Sequence, residues 1–179
     1  MRKVISIICL ILVFFIIYFL QINFFSWFNI ANVKPNLFVI FVLFIGLFAN
    51  KKIAAVFGFL IGIYLDILTA KQVGISAITF AFIGYIGGFL DKSFSKESKI
   101  TIILMVLGST FVYETIVYIY STISNSIPLD ILGFSKILII ELVFNVLITI
   151  ILYPIMKISG NLLEKIFKNK VSTTYFLTS

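Results

Sequence analysis

The sequence contains no histidine, and Cys9 is its only cysteine. A zinc site built from Cys and His ligands and an internal disulfide are therefore both excluded. No glycine-rich loop opens a helix with a Lys-Ser/Thr pair, so the glycines are better explained by helix packing than by phosphate binding. Charged side chains make up only 12% of the chain. We therefore expect no metal ion, no cofactor and no catalytic residue.

What the sequence has instead is apolar residues, which make up 61% of it, with a mean hydropathy of +1.20. These values lie far outside the range of soluble domains and predict an all-α polytopic membrane protein. The 14 basic residues lie in short clusters between apolar runs, a pattern of membrane topology rather than of nucleic-acid binding. We expect one integral membrane domain over residues 1–170, followed by a flexible tail at 171–179.

Six apolar runs predict about six transmembrane helices, at residues 4–20, 35–49, 53–68, 74–90, 100–123 and 137–156. The second is short, because its apolar part from Leu37 to Ala49 covers roughly 20 Å of a hydrocarbon core of roughly 30 Å. It spans only if Lys34 snorkels and Pro35 occupies the first turn; a re-entrant segment is the alternative. Residues 157–170 predict a basic amphipathic extension on the anionic cytoplasmic leaflet.

The basic residues orient these runs. With six spans and both termini in the cytoplasm, 11 of the 14 basic residues lie inside, and Lys34, Lys71 and Lys136 lie outside. If the second run does not cross, the best orientation puts the N-terminus outside and leaves 10 basic residues inside and 4 outside. Arg2 and Lys3 directly before the first run favour the six-span arrangement.

Small residues mark the third and fourth runs. Ala54, Gly58, Gly62 and Asp66 follow one another at fourfold spacing, which aligns them on one helical face. The next run has a second stripe of small residues at spacings of three and four: Ala77, Ala81, Gly84 and Gly88. Such stripes let helices approach closely in lipid. We predict an antiparallel hairpin with the two stripes facing each other, and these residues are candidates for helix packing or a partner interface.

Three carboxyl groups fall in the outer half of the predicted bilayer: Asp66, Glu114 and Glu141, the last with Asn145 four residues on. Ionisable groups at such positions are functional-site candidates. For Asp66 the alternative is a residue near the outer interface, paired with Lys71, that ends the span. For Glu114 and Glu141, polar contacts that hold the bundle together are favoured over ligand or proton chemistry.

Three segments carry a resemblance to a known family: PNLFVIFVLFIGLF at 35–48, GFLIGIYLDILTAKQVG at 58–74 and GYIGGFL at 84–90. Together they resemble the bacterial rod-shape-determining protein MreD. The shared features are the Pro-Asn opening of the second span, Gly58, Gly62 and Asp66 at fourfold spacing, Gly74 eight residues later, and Tyr85.

The resemblance implies a non-enzymatic subunit of the cell-elongation machinery in the bacterial cell membrane. Its implied partners are the bitopic scaffold MreC, the actin-like MreB, and the RodA and penicillin-binding peptidoglycan synthases. It also implies a six-helix fold similar to the substrate-binding membrane subunits of energy-coupling-factor vitamin transporters.

Two other functions stay open. A transporter subunit for vitamins or other solutes is the main alternative, although the first run, with only Ser6 and Cys9 as small residues, does not match the Ala-x-x-x-Ala face of those subunits. An intramembrane enzyme acting on lipid-linked precursors is disfavoured, because the sequence shows neither a metal motif nor a placed nucleophile.

Overall fold

The computed structural model describes residues 2–69, 74–91, 98–126 and 128–168. Within these ranges the protein is all-helical and contains no strand, as predicted. The described helices are α1 (Arg2–Trp27), α2 (Leu37–Phe48), α3 (Lys51–Thr69), α4 (Ile75–Leu90), α5 (Lys99–Asn125) and α6 (Ile131–Phe167). The predicted flexible tail at 171–179 lies outside the described residues.

Four of these helices, α1, α3, α5 and α6, are long and apolar enough to cross a membrane. The protein is therefore a multi-pass membrane protein. The other two are apolar but shorter, with 12 residues in α2 and 16 in α4. At about 1.5 Å per residue they reach roughly 18 and 24 Å, so whether each crosses fully stays a prediction.

The short helix α2 lies at the centre of the bundle. All of its residues are buried, and it packs against α3, α4, α5 and α6. A helix that is apolar on every side is stable where all its sides are shielded from water. For α2 this shielding comes from the surrounding helices. The hydrophobic core of the described residues is therefore built around α2.

The hairpin of α3 and α4 brings the two small-residue stripes into direct contact. A side chain at Gly58 would meet the carbonyl oxygen of Phe80 at 2.5 Å, and one at Gly62 would collide with the backbone of Ala77. From the other side, a side chain at Gly84 would meet the carbonyl oxygen of Ala54 at 2.6 Å. The backbones are therefore too close for any larger residue at these positions.

Two further glycines allow close packing around the central helix α2. A Cβ atom at Gly46 would lie 2.6 Å from the carbonyl oxygen of Gly84, so α2 also approaches α4 backbone to backbone. On the other side of α2, a Cβ atom at Gly160 of α6 would lie 2.5 Å from the ring of Phe48. Neither glycine belongs to the predicted stripes.

Several helix ends differ from the predicted spans. Helix α1 continues beyond residue 20 through a π-helical turn at Leu20–Phe24. The connection between the fifth and sixth predicted spans is shorter than those spans imply, because α5 extends to Asn125 and α6 begins at Ile131. Helix α6 then runs through Pro154 to Phe167 without a break at residue 157. Its end also packs inward, since Leu163 is 9% exposed and Glu164 8%.

One lysine joins three helices at the end of the bundle where α2 and α4 finish. The Nζ atom of Lys168 donates to the carbonyl oxygen of Leu47 at 2.5 Å and to Oδ2 of Asp91 at 2.6 Å. It thus satisfies one of the last carbonyl groups of α2, where a positive charge also complements the helix dipole. Lys51 and Lys99, which begin α3 and α5, belong to the same end, which we call the lysine end.

Candidate functional site

A polar cavity with a volume of about 670 Å³ lies at the opposite end of the bundle. Residues from all six described helices and from the segment before α2 contribute to its wall. The polar residues that matter most in the wall are Gln21, Asn36, Asp66, Tyr113, Glu114 and Glu141. We call this space the polar cavity.

Asp66 caps the N-terminus of α4. Its side chain is 3% exposed, and its Oδ2 atom accepts hydrogen bonds from the backbone N–H groups of Gly74 at 2.7 Å and Ala77 at 3.4 Å. Helix N-termini carry unpaired N–H groups and favour negative charge. Gly74 has a φ angle of +105°, which strongly favours glycine. Asp66 of α3 and Gly74 are therefore spaced so that the carboxylate of one helix caps the N-terminus of the next.

This cap makes a specific prediction about Asp66. Replacing it with alanine leaves the N–H groups of Gly74 and Ala77 without an acceptor and is expected to lower the free energy of unfolding by about 1–2 kcal/mol. Asp66→Asn keeps one acceptor oxygen and is expected to lose clearly less. Thermal unfolding of the purified protein in detergent measures both. Equal losses in the two variants would show that the charge, and not the hydrogen bonds, stabilises α4.

The start of α2 is held by side chains from two other helices. Asn145 of α6 is fully buried, and its Oδ1 atom accepts from the backbone N–H of Asn36 at 2.8 Å. Gln21 of α1 accepts from the N–H of Leu37 at 3.1 Å and donates to the carbonyl oxygen of Pro35 at 2.7 Å. The Asn36 side chain accepts from Val39 N–H at 3.3 Å, as an N-cap does. Helix α2 thus begins inside the protein with these backbone groups paired.

The two glutamates meet across α5 and α6. The carboxyl groups of Glu114 and Glu141 lie within hydrogen-bonding distance of each other, and Glu141 also contacts Asn145. Since an ionised carboxylate only accepts hydrogen bonds, such a pair bonds only when one of the two carries a proton. Glu141 is 6% exposed, and its Oε1 atom has no hydrogen-bond partner among the described residues. This oxygen is therefore buried within the wall of the cavity and is not open to it.

Tyr113 and Ser76 complete the wall near the glutamates. The Tyr113 hydroxyl lies 3.4 Å from Oγ of Ser76, so α5 and α4 share a hydrogen bond at this level. The Tyr113 ring also stacks on that of Phe80 with a centroid distance of 4.8 Å. These contacts fix one side of the cavity.

The structure separates the predicted site residues into two groups. Asp66, Glu114 and Glu141 line the polar cavity together, whereas Asn145 lies behind Glu141 and bonds to α2 and to Thr110. The second group lies in the contact between α3 and α4, away from the cavity wall: Ala54, Gly58, Gly62, Ala77, Ala81, Gly84 and Gly88. The proposed ion pair of Asp66 with Lys71 lies outside the described residues.

Gln21, Asn36, Ser76 and Tyr113 were not predicted as site residues. The signal for Gln21 is weak but present, because it is the first polar residue after a long apolar run. Asn36 follows a proline directly before an apolar helix, which is a recognisable N-cap position. In the part of the chain that the structure describes, no cluster of three or more Cys, Asp or Glu side chains is placed to hold a metal ion.

Comparison with known protein families gives a match over most of the chain. The sequence model of the family described as rod shape-determining protein MreD matches residues 1–163 of the chain. No curated protein and no solved structure matches it. The expected likeness to transporter subunits therefore stays a prediction.

Proposed function

The chain belongs to the MreD family of rod shape-determining proteins, and from this premise we propose that it is a non-enzymatic scaffold subunit of the bacterial cell-elongation complex. In this role it holds other membrane proteins of lateral peptidoglycan synthesis in a fixed arrangement and so regulates cell shape. The proposal has a physical basis in how the polar groups of the bundle are used.

The observation that carries the proposal is that buried polar side chains are used to join helices. Asp66 fastens α3 to the start of α4, and Asn145 and Gln21 fasten α6 and α1 to the start of α2. Close glycine contacts bring α2, α3 and α4 together backbone to backbone. Such an arrangement gives a bundle of fixed shape, which a scaffold requires.

The proposed placement is the bacterial cell membrane, with six spans and both termini in the cytoplasm. The lysine end then faces the cytoplasm, in agreement with the preference of cytoplasmic segments for basic residues. The polar cavity then faces the outer half of the bilayer. Helix α1 supports this placement, because its most apolar stretch is only 11% buried and offers its surface to lipid or to a partner helix.

The proposed partners are those that the family resemblance implies: an MreC-like scaffold, actin-like MreB, and RodA-like and penicillin-binding wall synthases. A bitopic partner contributes a single membrane helix, and α1 and α5 offer mostly uncovered apolar faces to such a helix. Small residues are not needed on these faces if the partner supplies its own.

Depletion in a rod-shaped host tests the proposal. We expect the cells to become round as the protein is lost, and to recover their shape when the wild-type chain is expressed again. The wild-type chain should also co-purify with the wall synthases from solubilised membranes. Unchanged cell shape together with a new vitamin requirement would contradict the scaffold function and favour the transporter subunit.

A further inference from the structure

A second cavity, with a volume of about 450 Å³, lies between α4 and α5. Leu43 of α2 and Ile83 of α4 belong to its wall and are only 2% and 3% exposed, so they form its floor. Phe82 and Leu104 also line it and are 48% and 62% exposed, so it opens to the outer surface of the bundle. Apart from Thr101, Gly108 and Ser109, its lining residues have apolar side chains. We call this space the apolar groove.

The apolar groove extends from the lysine end to about the middle of the bundle. It begins beside Leu90, the last residue of α4, and Thr101 in the first turn of α5. Its far end is Val112, and the ring of the next residue, Tyr113, stacks on that of Phe80 in α4 with a centroid distance of 4.8 Å. Helices α4 and α5 therefore meet at the level of the polar cavity and leave a gap between them toward the lysine end.

The length of the apolar groove matches one leaflet of a bilayer. From Thr101 to Val112 its wall runs for roughly 16 Å at about 1.5 Å per residue, and half of a hydrocarbon core of roughly 30 Å is roughly 15 Å. A partner helix that crosses both leaflets would leave the groove halfway, where Phe80 and Tyr113 close it. The acyl chain of a phospholipid ends at that depth. The shape of the groove therefore favours an acyl chain over a helix.

Two lysines lie near the mouth of the apolar groove at the lysine end. Lys99 precedes Thr101 of the groove wall by two residues. Lys51 packs against Gly88, which precedes Leu90 of the groove wall by two residues. An acyl chain in the groove would therefore place its headgroup beside these lysines.

The charges at this mouth favour an anionic headgroup. The ammonium groups of the two lysines lie 5.2 and 5.3 Å from the ring centroids of Tyr85 and Tyr153, and a ring attracts an ammonium ion without cancelling its charge. The carboxylate of Asp91 is paired with the ammonium group of Lys168 at 2.6 Å. Basic sites between membrane helices are typical sites for anionic lipid headgroups. We propose that the apolar groove binds one acyl chain of an anionic phospholipid, whose headgroup lies among the lysines at its mouth.

This inference goes beyond the scaffold function. Lipid binding is measured on the purified chain without any partner, and it does not depend on which side of the membrane the lysine end faces. The lipid site and the scaffold function can therefore fail independently.

The test adds lipid to the purified full chain in detergent and counts the bound molecules by native mass spectrometry. One series adds palmitoyl-oleoyl-phosphatidylglycerol, and the other adds the phosphatidylcholine with the same two acyl chains, so that any difference comes from the headgroup. We expect one phosphatidylglycerol molecule to bind tightly to each chain. Phosphatidylcholine is expected to bind about tenfold more weakly, because it lacks the net charge that the lysines attract.

The variant Gly108→Leu fills the apolar groove from its wall. A Cβ atom at Gly108 has no heavy atom of the described residues within 4 Å apart from the neighbouring backbone of its own helix, so leucine fits without moving α5. We expect phosphatidylglycerol to bind this variant about tenfold more weakly or worse. Cys9→Leu is the matched control, because it adds a leucine at an exposed position of α1 outside the groove wall. It should bind phosphatidylglycerol like the wild type.

The double variant Lys51→Gln/Lys99→Gln tests the headgroup separately. It leaves the groove wall intact and is expected to bind the two lipids with nearly equal affinity. Lys136→Gln is its control, because it removes an exposed lysine near the start of α6, away from the mouth. This control should keep the wild-type preference for phosphatidylglycerol.

Three results would overturn the site. These are equal affinity of the wild-type chain for the two lipids, wild-type binding of phosphatidylglycerol to Gly108→Leu, and a preference for phosphatidylglycerol that survives in the double lysine variant. If Gly108→Leu binds lipid normally but no longer co-purifies with its partners, the groove belongs to a partner helix and not to a lipid.

Discussion

Replacing Gly62 by leucine is expected to separate α3 from α4 and to prevent the folded bundle from forming. A Cβ atom at this position already collides with the backbone of Ala77 in α4, and no side-chain movement can relieve a collision with backbone. The cost should exceed the roughly 1–3 kcal/mol that overpacking usually costs in a well-packed core. We expect little folded protein in membranes, measured by size-exclusion chromatography after mild solubilisation, and no co-purification of the partners.

Gly108→Leu provides the matched control. Gly108 also lies inside a long helix, but a Cβ atom built there has no heavy atom of the described residues within 4 Å apart from the neighbouring backbone of its own helix. In a helix interior this change also improves helix propensity. The control should therefore accumulate and unfold like the wild type. Similar yields for Gly62→Leu and Gly108→Leu would contradict the close contact of α3 with α4.

Replacing Asn145 by leucine is expected to have the second largest effect. Its side chain accepts from Asn36 N–H and donates to Thr110 Oγ1 at 2.9 Å, and it is fully buried. Leucine leaves the N–H at the start of α2 unpaired inside the protein and also removes the amide beside Glu141. Interhelical hydrogen bonds in membranes average about 0.6 and reach about 1.7 kcal/mol. Because two are lost and a buried donor is left unpaired, we expect a loss of about 2–3 kcal/mol.

Thermal unfolding in detergent measures this loss, and Asn23→Leu serves as its control. The amide of Asn23 is exposed, and its one hydrogen bond among the described residues is to the Phe19 carbonyl of its own helix at 3.0 Å. The control should unfold at nearly the wild-type temperature. If Asn145→Leu unfolds at that temperature as well, the side chain does not hold α2 in place.

The contact between α3 and α4 could be anticipated because helical periodicity makes it local. Residues four apart share a helical face, so Gly58 and Gly62 predict a surface that another helix can approach closely. The short connection to the next apolar run indicates that this run is the helix that packs there. The central position of α2 could not be anticipated in this way. A segment that is apolar on every side has no preferred face, and lipid and protein cover such a helix equally well.

For the candidate site, the sequence predicts only which residues lie at the same depth in the membrane. Asp66, Glu114 and Glu141 fall at the same depth once the helices alternate in direction, and the structure places all three in one cavity wall. The hydrogen bonds within that region depend on contacts between distant residues. Asn36 and Asn145, for example, are 109 positions apart, and no pattern within either segment reveals that they pair.

The capping of α2 by Asn145 has a consequence for biogenesis. A chain leaves the ribosome from its N-terminus, so α2 enters the membrane well before α6 has been synthesised. Until α6 arrives, the N–H group of Asn36 has to be satisfied by water or by the insertion machinery, because an unpaired group is costly in hydrocarbon. The innermost helix of the bundle therefore gains this hydrogen bond only after α6 has entered the membrane.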